Sequence, residues 1–246
     1  MPVHFSVIIP AYNEQERIIP TLASVHAYLS ELGNFEVLVV SDGSTDETVA
    51  RVNVFAATHP GITVIENRVN AGKGAAVRDG MLAARGNLCV FIDADGSTSI
   101  RELPNMVPYI RSEAPGGTAD VVIGSVGIPG ARTLRYEPSF RMLLGRVGNA
   151  LIRFLVLPGI YDTQRGFKVF RREVAQEVFS RLSITRWGFD IEALALARAR
   201  GFSIKEVPVP WVHTKGTKVR ASAYLQTLYD LFRIWLRLGK QAPQDL

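Results

Sequence analysis

The sequence has a single cysteine and lacks any long uncharged hydrophobic run. Because Cys89 lies inside an apolar stretch, a disulfide framework is excluded and we expect a buried thiol, which suits a reducing compartment. No segment reaches the roughly 18 uncharged residues that a transmembrane helix requires. The N-terminus also lacks the apolar run and the cleavage site of a signal peptide. The sequence therefore predicts no conventional membrane span.

Internal repeats, low-complexity segments and linkers rich in Pro, Gly or Ser are also missing. With 246 residues, of which 47% are hydrophobic, the chain is long enough to bury a substantial core. We therefore predict one continuous domain over residues 1–240, followed by a short polar tail over residues 241–246.

Charge is distributed unevenly between the two halves of the chain. Residues 1–130 contain 8 Lys and Arg against 14 Asp and Glu, whereas residues 131–246 contain 20 against 9. A basic segment attracts nucleic acid, anionic lipid and phosphorylated substrates alike. Nucleic acid is the least favoured of these partners, because the basic half lacks any recognition motif. We interpret residue 130 as a functional boundary.

Residues 5–123 alternate short apolar runs with helical patterns. The apolar runs are FSVII, FEVLVV, ITVIE, LCVFID and ADVVIG. Strands separated by single helices indicate a Rossmann-like α/β fold, with a mainly parallel sheet flanked by helices on both faces. Ligands of such sheets bind beyond the carboxyl ends of the strands, so the residues after each strand are site candidates.

Two carboxylates, Asp93 and Asp95, follow the apolar run at residues 88–92. Alternate residues of a strand point to the same side, so these acids repel each other unless a cation or a proton intervenes. Mg²⁺ and Mn²⁺ take oxygen ligands and commonly bridge carboxylates to substrate phosphates. The alternative for an isolated pair of this kind is a solvated turn.

Two further segments carry candidate ligand-binding residues. Asp42, after the second strand, suits hydrogen bonds to a base or ribose, but Ser44 and Glu47 form a capping box that alone explains much of this segment. Lys73 lies among glycines at a helix start, where an anion is held well. The segment NAGKGAA matches neither a Walker loop nor a dinucleotide fingerprint, and a tight turn with a solvated lysine is the alternative.

Four segments, in this order and spacing, resemble the family-2 nucleotide-sugar glycosyltransferases with the GT-A fold: VIIPAYNE, DGSTDET, NAGKG and DADGS. The resemblance implies that residues 1–130 bind a nucleoside-diphosphate sugar. The residues that would bind it are Pro10, Ala11, Tyr12, Glu14, Asp42, Lys73, Asp93 and Ala94. Asp93 and Asp95 would hold the diphosphate through Mg²⁺ or Mn²⁺.

The second half resembles the dolichyl-phosphate glucose synthases, with the mannose synthases as more distant relatives. The segments concerned are GIYDTQRGFKVFRRE, TRWGFDIEAL and VPVPWVHTKGTKV. The resemblance implies transfer of a hexose, glucose from UDP-glucose, to dolichyl or polyprenyl phosphate. The N-terminal anchor of the eukaryotic enzymes and the C-terminal spans of some bacterial relatives are missing. We therefore expect a peripheral protein at the cytoplasmic face of the membrane.

The acceptor would bind in the basic half. Five arginines lie between residues 131 and 153, against one acid, in a stretch rich in Leu, Phe and Val. Arginine suits phosphate, and an apolar helix with basic residues suits an anionic bilayer surface. We predict that the acceptor phosphate is bound by Arg132, Arg135 and Lys215. Arg141 to Arg153 would contact the membrane, with a solvated helix face as the alternative.

The predicted catalytic residues are Asp95, Asp162 and Asp190. Asp162 would orient the sugar or act as a weak base, while Asp190 would hold sugar hydroxyls and Trp187 would stack on the sugar. Helix capping and pairing with a helix dipole are the alternatives for these acids. A loop containing His213, with Lys215, would close over the diphosphate.

The last helical run, residues 224–238, has Leu225, Leu228, Phe232 and Trp235 at helical spacing. Such a stripe is more typical of a core face than of membrane contact, and docking to a bilayer is the alternative because Arg233 and Arg237 lie beside it.

Three functions compete. The first is the glucosyltransferase described above, and the second is the same chemistry with GDP-mannose or a soluble acceptor. The third is a non-catalytic nucleotide-sugar-binding protein. Asp93 and Asp95 argue against the third function, because a site without turnover has no reason to keep two acids that repel each other.

Overall fold

The computed structural model describes residues 4–110, 117–133, 139–212 and 221–238. The strands are β1 (Phe5–Ala11), β2 (Phe35–Asp42), β3 (Ile62–Asn67), β4 (Leu88–Ile92), β5 (Val121–Ser125), β6 (Arg132–Thr133), β7 (Phe167–Arg171), β8 (Ile204–Pro208) and β9 (Pro210–Trp211). The helices are α1 (Ile18–Leu32), α2 (Thr48–Ala56), α3 (Lys73–Ala83), α4 (Leu103–Met106), α5 (Ser139–Leu155), α6 (Arg172–Phe179), α7 (Phe189–Ala199) and α8 (Ala221–Leu238).

Seven of the strands form one sheet, in the order β3-β2-β1-β4-β7-β5-β8. β1 is parallel to β2 and β4, β2 is parallel to β3, and β5 is parallel to β8. Single helices connect the first four strands, as parallel crossovers require. The predicted mainly parallel sheet with flanking helices is confirmed.

β7 is the exception, because it runs antiparallel to both β4 and β5. It follows a long connection that contains α5 instead of a single crossover helix, so the chain is free to enter the sheet from either end. Its register places Lys168 beside Phe91 of β4 and Ile123 of β5. A lysine therefore lies in the middle of the sheet. β6 and β9 form a second, two-stranded parallel sheet.

Apolar side chains fill both faces of the large sheet. α1 packs Ile18, Leu22 and Leu29 against one face, and α3, α6, α7 and α8 cover the other. Each fully buried side chain of this kind contributes roughly 1.5–3 kcal/mol by leaving water. Cys89 lies in the core beneath α3, α6, α7 and α8, and burial raises the pKa of its thiol to about 12. The predicted buried thiol is confirmed.

The prediction that the apolar stripe of the last helix faces the core is wrong. Leu225, Leu228, Phe232 and Trp235 are 72%, 45%, 54% and 41% exposed. The residues of α8 that are buried instead are Ala223, Asp230, Leu231, Ile234 and Leu238. The stripe was misassigned because apolar residues lie on several sides of this helix, and only its neighbours decide which side is covered. No helix within the described ranges is long and apolar enough to cross a membrane.

Candidate active site

The predicted donor residues converge at the carboxyl edge of the sheet, where β1, β2 and β4 end. The register pairs Ala11 with Ser41 and Ile8 with Phe91, so the segments after these strands emerge side by side. Pro10 and Ala11 are buried in the last part of β1, whereas Tyr12, just beyond them, is exposed. This edge is where ligands of open α/β sheets bind.

Four charged side chains of alternating sign form the centre of this edge. We call them the Lys73 cluster, and in spatial order they are Asp93, Lys73, Asp190 and Lys168. Lys73 Nζ lies 2.6 Å from Asp93 Oδ1, and Lys168 Nζ donates a hydrogen bond of 2.5 Å to Asp190 Oδ1. Lys168 and Asp190 are 2% and 4% exposed, whereas the side chains of Lys73 and Asp93 are 23% and 24% exposed. One pair is therefore sealed inside the protein and the other is open to a ligand.

The charges of the Lys73 cluster act on one another. Burial alone would lower the pKa of Lys73, but the carboxylates of Asp93, Asp190 and Asp95 outweigh it and raise the pKa above its ordinary value. Burial raises the pKa of Asp190, although the ammonium groups of Lys168 and Lys73 oppose the rise. The cluster thus keeps Lys73 positively charged at the edge of the sheet, where a polyanion would approach.

Close backbone contact fixes the position of Asp93. Its N–H donates to the carbonyl oxygen of Gly166 at 3.1 Å. A side chain on residue 166 would overlap the Asp93 carboxylate and displace it from its present position.

Asp95 lies in the turn after β4 and not in the strand itself. β4 ends at Ile92, and Asp95 Oδ1 accepts a hydrogen bond of 2.9 Å from the N–H of Ser97. Strand alternation is therefore the wrong reason for expecting Asp93 and Asp95 together. The turn brings both carboxylates close enough to act on Lys73. Asp95 also lines a cleft of about 620 Å³ between α1 and residues 96–100.

The donor atoms at this turn fit a hard divalent cation. Asp93 and Asp95 offer only oxygen ligands, which Mg²⁺ and Mn²⁺ prefer. The Lys73 ammonium already places a positive charge 2.6 Å from one of them. Within the part of the chain that the structure describes, no group of three or more His, Cys, Asp and Glu side chains forms a metal site. An ion at this turn would therefore share its coordination with substrate oxygens or water.

Asp42 holds the loop that precedes α3. Its Oδ1 accepts a hydrogen bond from the N–H of Ala71 and its Oδ2 from the N–H of Gly72, both at 2.8 Å. Gly43 has a φ of 69°, and a side chain there would lie 2.6 Å from the backbone nitrogen of Asn70. These contacts were not predicted from the sequence. The contact of Asp42 with a base or ribose stays a prediction.

The loops after β1 and β2 are tied together. Ser44 Oγ accepts a hydrogen bond of 3.1 Å from the N–H of Asn13. The predicted capping box of Ser44 and Glu47 is wrong, because α2 begins at Thr48 and Asp46 Oδ1 accepts from the N–H of Thr48 at 3.0 Å. Ser44 therefore shapes the site edge instead of capping a helix.

Glu14 is buried and paired within its own segment. Arg17 donates two hydrogen bonds, of 2.7 and 2.8 Å, to the Glu14 carboxylate. The N–H of Glu14 donates to Thr48 Oγ1 at 2.7 Å, which again links the first two loops. Its contact with a nucleoside stays a prediction.

Asp162 joins segments at the same edge of the sheet, next to the end of β5. Its Oδ2 accepts hydrogen bonds from the N–H of Val126 at 3.0 Å and from Arg165 Nε at 3.2 Å. Its own N–H donates to Glu206 Oε1 at 3.0 Å. These contacts hold the segment that leads from β5 to β6. A catalytic role for Asp162 stays a prediction.

The predicted acceptor residues lie partly outside the described residues. Arg132 is in β6, where its backbone pairs with Pro210 of β9. Arg135 and Lys215 fall outside the described ranges, as does His213. Trp187 is half-buried, and the Lys73 ammonium lies 5.9 Å from its ring centroid, so this ring borders the donor side of the site.

Lys168 is the charged residue of the cluster that sequence reasoning missed. It occupies an inward position of the apolar segment GFKVF, where a lysine needs a buried partner. The lysine was therefore a signal, but its partner Asp190 is 22 residues away and only the fold brings them together.

Comparisons with known proteins identify the family of this chain. The model of glycosyl transferase family 2 matches residues 6–179. The dolichyl-phosphate beta-glucosyltransferase ALG5C of Trichomonas vaginalis is 37% identical over 252 residues, which cover 99% of this chain and 74% of the relative. The dolichyl-phosphate beta-glucosyltransferase of Drosophila melanogaster is 36% identical over 245 residues, which cover 96% of this chain and 75% of the relative.

Solved structures share the fold. Glucosyl-3-phosphoglycerate synthase from Mycobacterium tuberculosis, in complex with Mn²⁺, UDP-glucose and phosphoglyceric acid, gives a TM-score of 0.68 at 21% identity, covering 95% of this chain and 80% of that one. The mannosyltransferase PcManGT from Pyrobaculum calidifontis, in complex with GDP-Man and Mn²⁺, gives 0.62 at 23% identity, covering 96% and 66%. The chain therefore belongs to glycosyl transferase family 2 and is a glycosyltransferase with the GT-A fold, related to the dolichyl-phosphate beta-glucosyltransferases.

Proposed function

We propose that this glycosyltransferase moves glucose from UDP-glucose to dolichyl or polyprenyl phosphate, with a divalent metal and with inversion at the anomeric carbon. The open pair of the Lys73 cluster, Lys73 and Asp93, carries the proposal together with Asp95, because these residues present a cation and two acids where a nucleotide sugar of this family would bind. The identity with dolichyl-phosphate beta-glucosyltransferases over nearly the whole chain supports the choice of sugar and acceptor.

The donor would lie across the carboxyl edge of β1, β2 and β4. Tyr12 is exposed there, and its ring would contact the base. The Asp42 carboxylate holds the loop that precedes α3 in place. Lys73 would turn its ammonium from Asp93 toward the diphosphate. Mg²⁺ or Mn²⁺ held by Asp93 and Asp95 would supply positive charge against the charge that develops on the leaving diphosphate.

The acceptor would need no strong base. A phosphate monoester has a second pKa near 6, so it is largely dianionic at neutral pH and attacks the anomeric carbon directly. A single in-line displacement gives a β-linked product from an α-linked donor. Asp162 would then help to position the acceptor, because it holds the segment that begins at Val126 and leads to Arg132. Asp190, which is buried against Lys168, would act through Lys73 and not on the sugar itself.

The lipid phosphate would be bound by Arg132, with Arg135 and Lys215. The membrane surface would contact α5 and α8, which pack against each other. The exposed apolar side chains of these helices are Val147, Leu151, Phe154, Leu225, Leu228, Tyr229, Phe232, Trp235 and Leu236. Arg153 and Arg233 lie among them, and arginines beside an apolar helix face favour anionic lipid. This surface supports peripheral contact with a membrane, and the proposal places the protein at its cytoplasmic face.

One experiment tests the proposal directly. Purified protein is incubated with Mg²⁺, a short-chain polyprenyl phosphate and either UDP-glucose or GDP-mannose, and the lipid product is identified by mass spectrometry. We expect a glucosylated lipid, loss of turnover with a chelator, and a β-linkage by NMR. A mannosylated lipid alone would reassign the donor, and no glycosylated lipid with any nucleotide sugar would refute the proposal.

A further inference from the structure

Glu192 of α7 is a buried carboxylate that accepts four hydrogen bonds. Its Oε2 accepts from the N–H of Ser183 at 3.0 Å and from the N–H of Ile184 at 2.6 Å. Its Oε1 accepts from Ser183 Oγ at 2.6 Å and from the guanidinium of Arg237 at 2.7 Å. A buried charge with this many donors fixes the backbone around it. Glu192 therefore holds the segment of residues 183–185.

That segment presses on the two glycines beside Lys73. The carbonyl oxygen of Thr185 accepts a hydrogen bond of 3.1 Å from the N–H of Ala75, and a side chain on Gly72 would overlap the same oxygen. A side chain on Gly74 would lie 2.8 Å from the carbonyl oxygen of Ile184. Lys73 begins α3 between these two contacts, so the position of residues 183–185 sets the position of the Lys73 backbone.

Arg237 secures this arrangement from the last turn of α8. It donates to Glu192, to Ser183 Oγ at 3.0 Å and to the carbonyl oxygen of Arg181 at 3.4 Å. Its side chain is 47% exposed whereas that of Glu192 is 1% exposed, so the guanidinium reaches a buried carboxylate from the protein surface. The guanidinium joins Glu192 of α7 to two groups of the preceding segment, Ser183 and Arg181, which is a positioning arrangement.

We propose that Arg237 and Glu192 are positioning residues that set the affinity of Lys73 for the diphosphate of the donor. The inference rests on the proposed function, in which Lys73 binds that diphosphate. Neither residue touches the donor. Each acts through residues 183–185 and the glycines on either side of Lys73.

The test compares UDP with UMP, because UMP lacks the second phosphate. The dissociation constants of both nucleotides are measured by calorimetry with Mg²⁺ for the wild type, Arg237→Ala and Arg237→Lys. If the wild type binds guanine nucleotides more tightly, GDP and GMP are compared instead. We expect Arg237→Ala to raise the dissociation constant of UDP by about tenfold, which is about 1.4 kcal/mol of binding free energy. UMP should change by less than about twofold, and Arg237→Lys should regain part of the loss because it keeps a donor for Glu192.

Arg200→Ala is the matched control. Arg200 is also a half-exposed arginine, 43% exposed, and its ion pair at 3.0 Å is with Glu177 and not with Glu192. Its UDP affinity should equal that of the wild type. Thermal unfolding of each variant separates lost positioning from lost folding, and Arg237→Lys serves if Arg237→Ala does not fold. Equal weakening of UDP and UMP, or no weakening of UDP, would overturn the inference. A wild type that binds no nucleoside diphosphate would refute the proposed function instead.

Discussion

Two regions of the molecule depart in opposite directions from what stability alone favours. The Lys73 cluster buries charge inside the sheet, where Lys168 and Asp190 are nearly inaccessible. α8 instead exposes apolar side chains, among them Leu225 and Phe232. Buried ion pairs often add nothing net to stability, and monomeric proteins rarely expose large apolar patches. The difference fits the proposed function, in which the first region binds a polyanionic donor and the second contacts lipid.

The largest expected effect comes from removing the buried cation of the first region. Lys168→Met leaves the Asp190 carboxylate buried without its partner, and we expect the free energy of unfolding to fall by roughly 3–5 kcal/mol. Urea unfolding measures this loss. The double variant Lys168→Met with Asp190→Leu should regain most of the stability but not the donor affinity. A single variant as stable as the wild type would contradict the role of this pair.

Substitution in the open pair of the cluster, Lys73 and Asp93, should affect turnover and not folding. Asp93→Asn keeps the shape of the side chain but removes its charge, and we expect kcat to fall by about 10²–10³-fold. Mn²⁺ binding, followed by electron paramagnetic resonance, should weaken in parallel.

Asp79→Asn is the control for this substitution. Asp79 of α3 is also partly exposed and paired with a cation, Arg78, at 3.1 Å, but its other partner is the side chain of Asn67 and not a member of the cluster. Its kcat should change by less than about twofold, as for other surface ion pairs. Similar losses in both variants would mean that Asp93 has no special place in the reaction.

The positions of Asp93 and Lys73 in the first region were predictable from the sequence, whereas the buried pair of that region and the exposed face of the second were not. Asp93 and Lys73 each stand at the end or start of a regular element, so local patterns predicted where both would lie. Their ion pair spans 20 residues, and the pairing of Lys168 with Asp190 also depends on β7 entering the sheet antiparallel. The exposed side of α8 depends on which neighbours cover it, and no local pattern contains that information.

The apolar surface of α8 should matter for lipid and not for folding. Phe232→Ser should weaken binding to phosphatidylglycerol vesicles by about tenfold or more, since a buried side chain of this size is worth roughly 1.5–3 kcal/mol. The free energy of unfolding should change by less than about 0.5 kcal/mol, because the side chain is exposed in the folded protein. Co-sedimentation measures the binding.

Val54→Ser is the comparison for this surface. Val54 is an exposed apolar residue of α2, remote from α8 in the fold. Its vesicle binding should equal that of the wild type. If Phe232→Ser also bound vesicles like the wild type, α8 would not be the lipid-contacting surface.

The smallest effect concerns Asp230, which lies on the inner side of α8 between the two regions. Its carboxylate is buried against Gly188, next to Trp187 of the donor side. Burial raises the pKa of Asp230 above its ordinary value of 3.8, Glu192 adds to the rise, and Arg233, at 4.0 Å, opposes it. The folded protein therefore binds this proton more tightly than the unfolded chain does, so the contribution to stability is present at low pH and is lost as the pH rises through the raised pKa.

Asp230→Asn keeps the shape of the side chain but carries no charge at any pH, so it should remove this pH dependence. We expect the free energy of unfolding in urea, measured from about pH 4 to about pH 7, to increase for the variant relative to the wild type as the pH rises. Parallel curves would mean that the carboxylate is neutralised by Arg233 or solvated. A growing difference would mean that α8, while it presents apolar side chains to lipid, also carries an unfavourable buried charge against the donor side. The same helix would then combine both departures from stability, and its contact with Gly188 would be the place where the two regions meet.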